Sequence, residues 1–152
     1  MSDSSTMRRR LTCWHEAGHA VAACALGVLV IDVATSRDGT GITHTRGNPS
    51  AADAATIAVA GAIGEDMAGG TTLDGHGGAW DYLTAVAVLG AAGVVDVEAA
   101  VEAAETRARA ILEQHRGALA EVATALEAQG GLGGEELAAT WARHQRRARR
   151  AA

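Results

Sequence analysis

Two histidines and a glutamate near the start of the chain have the types and spacing of a catalytic metal site. The run His15-Glu16-Ala17-Gly18-His19 is an H-E-x-x-H motif. Four residues advance an α-helix by about 400°, so in a helix His15 and His19 would lie on one face, one turn apart. Two imidazoles in that arrangement can bind one Zn²⁺. Glu16 beside them can activate a zinc-bound water for attack on a carbonyl group and then return the proton to the leaving amine.

The residues that follow this motif favour a metal site over a chance match. An apolar run from Ala20 to Leu26 predicts a buried helix, in which two imidazoles and a carboxylate are costly unless a partner satisfies them. A catalytic zinc also needs a third protein ligand and an open position. The metzincin continuation is excluded, because Ala22 and Ala25 stand where it requires Gly and His. Composition and spacing leave four candidates for the third ligand: Glu65, Asp74, His76 and Asp81.

The elements that must position this site are mostly helical. Hydrophobic residues make up 48% of the 152 residues but aromatic ones only 3%, without any Phe, and such a composition favours closely packed helices over a β-sandwich. We expect a mainly α (α+β) fold with one small β-hairpin between the first and second helices. The predicted elements are helix 8–26, strands 28–34 and 41–45, helix 50–68, a Gly-rich loop 69–78, helix 79–89, a long helix 94–129 and helix 135–150.

The charges divide the chain into an acidic body with basic ends. We assign residues 1–7 to a flexible polar leader, 8–142 to one domain and 143–152 to a basic C-terminal tail. All basic residues are Arg, and residues 11–142 carry five of them against 17 acidic residues, which argues against a broad nucleic-acid interface. No nucleotide-binding G-x-x-x-x-G-K-[ST] motif occurs, so any activity is expected to be independent of ATP.

Targeting and cysteine signals predict a cytoplasmic protein without a membrane partner. The arginines at 8–10 are not followed by the apolar segment of a signal peptide. The longest uncharged stretch, Ala20–Ile31, is too short to span a bilayer. Cys13 and Cys24 would lie about 16 Å apart along one helix, too far for a disulfide.

Several ordered motifs resemble the FtsH-type peptidase domain, the proteolytic half of membrane-anchored AAA proteases. Residues 15–20 (His-Glu-Ala-Gly-His-Ala) resemble its zinc helix, and 40–43 (Thr-Gly-Ile-Thr) its following strand. Residues 60–66 (Ala-Gly-Ala-Ile-Gly-Glu-Asp) and 77–81 (Gly-Gly-Ala-Trp-Asp) resemble two later motifs. The resemblance covers about residues 8–140. The chain departs from the pattern at Ala62, where the family has Arg, and at Trp80, where it has Asn.

The resemblance implies roles that composition could not assign. Asp81 would be the third zinc ligand, and Glu65 would orient a ligand histidine through its free ring nitrogen. The strand Gly41, Ile42 and Thr43 would bind an extended substrate by β-augmentation. Family members assemble as hexamers, so self-association of this chain is compatible with the resemblance.

The motif and the resemblance together predict a zinc-dependent metalloendopeptidase that hydrolyses peptides or unfolded protein. His15, His19 and Asp81 would hold Zn²⁺, and Glu16 would be the general base. The alternative is a non-catalytic zinc-binding adaptor, or a partner module for a separate ATPase. Retention of Glu16 argues against that alternative, because a structural zinc site needs no base.

Overall fold

Helices arranged around a small sheet make up residues 3–70 and 76–152, which are the residues that the computed structural model describes. The elements in chain order are α1 (Asp3–Ala25), β1 (Leu29–Thr35), β2 (Gly41–Arg46), α2 (Ala51–Met67), α3 (His76–Ala91), α4 (Val97–Gln114), α5 (Arg116–Gln129), β3 (Gly131–Gly133) and α6 (Gly134–Ala151). The predicted mainly α fold, with strands between the first and second helices, is confirmed.

The central element is α1, which packs against α2, α5 and β1. Its alanines Ala17, Ala20 and Ala23 are fully buried, and their small side chains let neighbouring helices approach closely. The helix already includes residues 3–7, which the sequence analysis assigned to a polar leader. The chain leaves α1 through Gly27, whose φ of 73° is the left-handed conformation that commonly ends a helix.

Two glycines bring the backbones of α1 and α2 into direct contact. A Cβ atom on Gly18 would lie 2.4 Å from the carbonyl oxygen of Ala60, and one on Gly64 would lie 2.5 Å from that of Trp14. Both distances are shorter than van der Waals contact, so larger residues would force the helices apart. Ser50 fixes the start of α2, because its hydroxyl accepts a hydrogen bond from the backbone N–H of Asp53. This close crossing sets α2 against the helix that carries the motif.

The sheet has three antiparallel strands in the order β2-β1-β3, with a register irregularity between Val30 and Asp32. The sequence predicted only the hairpin. The segment 131–133 reads Gly-Leu-Gly and has little intrinsic strand preference, but it pairs with β1 and buries Leu132 against Val33. Because β1 lies in the centre, β2 has one edge without a neighbouring strand in the described structure.

The predicted long helix over 94–129 is wrong in one respect, because the chain breaks at His115 between α4 and α5. A straight helix of that length would extend about 54 Å, too far to pack along its whole length on a domain of this size. The break lets α4 pack on α2 while α5 packs on α1. Gly117 follows immediately and admits the ring of His144, 3.2 Å from where a Cβ would lie.

The basic residues at the end of the chain belong to the last helix, α6, which continues to Ala151. Arg149 and Arg150 lie in its last turn, where positive charge complements the helix dipole. Earlier in the helix, Arg143 and His144 both pair with Glu121 of α5 and dock α6 against it. None of the helices in the described part of the chain combines the length and apolar character that crossing a bilayer requires.

Both cysteines are expected to react slowly in the folded protein. Burial raises the pKa of the Cys13 thiol, and it raises the pKa of Cys24 to about 11. A raised thiol pKa leaves less thiolate, the reactive form, at any pH below it. At pH 8 Cys24 should hold about 100-fold less thiolate than a thiol with a pKa of 9.0, and we expect iodoacetamide to alkylate it correspondingly more slowly. Mass spectrometry of native and guanidinium-unfolded protein measures this difference, and equal rates would contradict it.

Candidate metal centre

Three side chains from two helices converge where the sequence motif predicts a metal. His15 and His19 lie one turn apart on α1, and Asp81 lies in the early part of α3; one ligand atom from each is within 4.8 Å of the others. Asp81 Oδ2 is 3.0 Å from Nε2 of His15 and 3.5 Å from Nε2 of His19. Ligands on a tetrahedral zinc with bonds of 2.0–2.2 Å are about 3.3–3.6 Å apart. The two separations from Asp81 are thus close to those of ligands that share one zinc ion.

The second helix, α2, orients both imidazole rings. His19 Nδ1 is 2.8 Å from the carbonyl oxygen of Ile57, and His15 Nδ1 is 3.3 Å from Glu65 Oε2. A carbonyl oxygen can only accept, so Nδ1 of His19 donates its hydrogen and the neutral ring has its lone pair on Nε2. The carboxylate of Glu65 favours the same tautomer for His15. Both rings thus present Nε2 to Asp81, the orientation that metal-binding histidines require.

A glycine on α2 keeps the region between the two imidazoles free of protein atoms. A Cβ on Gly61 would lie 2.4 Å from Nε2 of His19 and 2.6 Å from Nε2 of His15. Every other residue type would place a carbon atom against both nitrogens at once. Gly61 therefore leaves space at the two atoms that would bind a metal.

The electrostatics of the cluster also favour a cation. Asp81 Oδ2 is buried, and within the described part of the chain it accepts no hydrogen bond of satisfactory geometry. Burial acts to lower the pKa of His15, but the contacts with Asp81 and Glu65 and the charge of Glu16 raise it to about 9. These negative charges around a buried ring attract a positive charge. Once Zn²⁺ displaces the proton that this raised pKa leaves on Nε2 of His15, two nitrogen lone pairs and the Asp81 carboxylate oxygen fit the metal as a ligand set.

Glu16 lies between the metal cluster and strand β2. Its side chain is buried, and the hydroxyl of Thr43 donates a hydrogen bond to its Oε2 at 2.7 Å. Gly41 passes so close that a Cβ there would lie 2.5 Å from Glu16 Cγ. The carboxylate is thus fixed beside His15 by a strand whose outer edge is unpaired in the described structure.

A cleft of about 820 Å³ opens beside Asp81 between α2, α3 and α4. Tyr82 and Val59 contribute apolar and aromatic surface to it, and Glu102, Glu105 and Glu113 contribute acidic groups. Trp80, which the sequence analysis identified as a departure beside Asp81, does not line this cleft and is 73% exposed. The cleft thus borders the metal cluster at Asp81, and its volume is large enough for several side chains of a peptide.

The structure brings most of the residues singled out in the sequence to one place. Of the four candidates for a third ligand, Asp81 is near both Nε2 atoms, whereas Glu65 contacts the opposite nitrogen of His15. Asp74 lies outside the described residues, as does the side chain of His76. Sequence reasoning missed Gly61 and the carbonyl of Ile57. The signals for Gly61 were its place in the motif at 60–66 and a glycine inside an otherwise helical run of small residues.

Loss of the Glu65 carboxylate is expected to weaken zinc binding without unfolding the protein. Glu65→Gln removes the charge that holds Nδ1 of His15 and should lower zinc affinity 10- to 100-fold. A competition titration with a chromophoric chelator measures this change. Asp66→Asn is the matched control, because Asp66 pairs with Arg109 at the surface instead. Equal affinities of the two variants would contradict the role of Glu65.

Comparison with known proteins supports a peptidase with a metal centre. The sequence model of the Peptidase M50B-like family matches residues 5–99, more than half of the chain. The matched range contains all five acidic and histidine residues described above: His15, Glu16, His19, Glu65 and Asp81. That family is a metallopeptidase family distinct from the FtsH type that the sequence motifs resemble. No curated protein matches the chain.

Proposed function

Because the chain belongs to the Peptidase M50B-like family of metallopeptidases, we propose that it is a zinc-dependent metalloendopeptidase acting on peptides or unfolded protein. The observation that carries the proposal is the convergence of Nε2 of His15, Nε2 of His19 and Asp81 Oδ2 around space that Gly61 leaves open. The buried carboxylate of Glu16 adjoins the same cluster. A ligand set with a base beside it is what hydrolysis of an amide by a metal site requires.

The three converging atoms would hold the metal, with Glu65 and the Ile57 carbonyl orienting the rings. When bound, Zn²⁺ supplies Lewis acidity, which lowers the pKa of water to about 7 and polarises a carbonyl group. Glu65 keeps Nδ1 of His15 protonated, and the Ile57 carbonyl does the same for His19. The two imidazoles therefore stay in the tautomer that leaves Nε2 available for a metal ion.

Glu16 carries the proton transfers in this proposal. Thr43 donates to Oε2, so Oε1 is the oxygen available to accept the proton that an attacking water loses. The protonated carboxyl then returns that proton to the amine nitrogen of the departing peptide. Its position on α1 directly after His15 keeps the base next to the ligands during both transfers.

The unpaired edge of β2 is the proposed docking place for the substrate backbone. Gly41, Ile42 and Thr43 lie in this strand beside Glu16, and an extended peptide added there would form main-chain hydrogen bonds. Main-chain hydrogen bonds do not depend on the side chains of the substrate, so unfolded segments of varied sequence would bind. The ordered motifs at 40–43, 60–66 and 77–81 support a finer likeness to FtsH-type peptidases. ATP-independent cleavage, self-association and a cytoplasmic location remain part of the proposal.

Metal analysis combined with a cleavage assay tests this function. We expect one zinc per chain after purification in the presence of zinc. We also expect cleavage of a fluorogenic unstructured peptide that stops with a chelator and returns on addition of zinc. Zinc at that stoichiometry without turnover on any unfolded substrate would favour the adaptor alternative. Turnover that persists in the metal-free protein would contradict both.

A further inference from the structure

We infer that Thr43 is a positioning residue for the general base, an inference that rests on the proposed function. Its hydroxyl lies 2.7 Å from Oε2 of Glu16 and 3.3 Å from the backbone oxygen of the same residue. A hydroxyl has one hydrogen to donate, and the shorter contact is to the charged carboxylate. A charge-assisted bond of that length is among the stronger hydrogen bonds in proteins.

Strand geometry adds a second contact, so β2 holds Glu16 at two points; we call this pair of residues, Gly41 and Thr43, the clamp. Gly41 and Thr43 are two residues apart, so both side-chain positions face α1. At Gly41 there is no side chain, and the backbone lies against the carboxylate: a Cβ would be 2.5 Å from Cγ and 2.6 Å from Oε1. The close approach at Gly41 restricts where Glu16 can move, and the hydroxyl of Thr43 selects which oxygen is held.

The clamp also connects the base to the substrate edge. The strand that contacts Glu16 has its outer backbone edge free of other strands in the described structure. A peptide that pairs with that edge would therefore lie along the strand that holds Glu16, whose Oε1 receives no hydrogen bond from Thr43. Loss of the hydroxyl would release the carboxylate while the backbone that binds the peptide stays in place.

Thr43→Val tests the inference, because valine keeps the branched shape and removes only the hydroxyl. We expect kcat to fall 10- to 100-fold with KM within twofold of the parent, and Thr43→Ser to restore kcat to within about threefold. Thr45→Val is the matched control, since Thr45 is exposed on the same strand and makes no hydrogen bond to Glu16 in the described structure. This control should leave both constants unchanged.

A readout that does not depend on turnover is the carboxyl carbon resonance of Glu16 in ¹³C-labelled protein. It should shift in Thr43→Val, return in Thr43→Ser and remain unchanged in Thr45→Val. An unshifted resonance in Thr43→Val, or a kcat equal to that of a cleaving parent, would overturn the inference. A parent that cleaves nothing would overturn the proposed function, and the role of Thr43 in it, while the resonance still reports whether the contact exists.

Discussion

Replacing Glu16 by glutamine is expected to abolish peptide cleavage while zinc stays bound. The amide has the shape of the carboxylate but cannot accept a proton at neutral pH, so proton transfer to and from the reacting groups is lost. We expect kcat to fall by about 10³-fold or more, because general base catalysis contributes up to about 10⁴-fold and the same residue acts twice. Cleavage of an unstructured peptide and zinc content are measured on the same preparation.

A glutamate remote from the metal cluster in sequence provides the matched control for Glu16→Gln. Glu98, in the first turn of α4, is exposed and remote from the cluster in sequence, so Glu98→Gln should cleave at the parent rate. Glu16→Gln should also bind zinc within a few-fold of the parent, because Glu16 is not one of the three converging ligands. A Glu16→Gln variant that cuts as fast as the parent would remove Glu16 from the mechanism.

Adding a single methyl group at Gly61 is expected to eliminate zinc binding. The new Cβ would lie 2.4 Å and 2.6 Å from the two Nε2 atoms, so at least one ring has to rotate away from its partner on α2. We expect zinc affinity to fall at least 100-fold and cleavage to disappear. Helical circular dichroism should be retained, since alanine is intrinsically a better helix former than glycine by about 1 kcal/mol.

The matched control for this change is the same substitution on an open helix surface. A Cβ on Gly90, in α3, would have no atom within 4 Å, so Gly90→Ala should leave zinc affinity and cleavage at the parent values. Isothermal titration with zinc compares the three proteins. Parent-like zinc affinity in Gly61→Ala would show that the metal does not lie between the two imidazoles.

The local part of the site could be predicted from the sequence because it depends on helical periodicity. His15 and His19 share a face wherever residues 15–19 form a helix, and the apolar run after them predicts that helix. Asp81 could be selected from four candidates only through family resemblance, because a separation of 62 residues carries no geometric information. The role of Gly61 was not predicted. It depends on the absence of a side chain where α1 and α2 cross, and only the packed structure reveals that crossing.

The same distinction between local periodicity and tertiary packing explains where the fold differs from the sequence-based prediction. The break at His115 and the strand 131–133 both arise from tertiary packing, on α1 and β1 respectively, and local preference does not encode either. At the level of the family, H-E-x-x-H helices occur in several unrelated groups of peptidases, so a motif-based resemblance identifies the chemistry more securely than the family. The metallopeptidase class accordingly agrees between the motifs and the family match, and the subclass does not.

A crystal structure of the protein grown with zinc, with the metal located by anomalous scattering at the zinc edge, tests directly whether His15, His19 and Asp81 hold one ion. We expect one ion, with Nε2 of His15 and His19 at about 2.0–2.1 Å and an oxygen of Asp81 at about 2.0–2.2 Å. One coordination position should be free of protein atoms and adjoin Glu16. Zinc bound elsewhere, or an ion held by the two histidines with Asp81 turned away, would contradict this expectation.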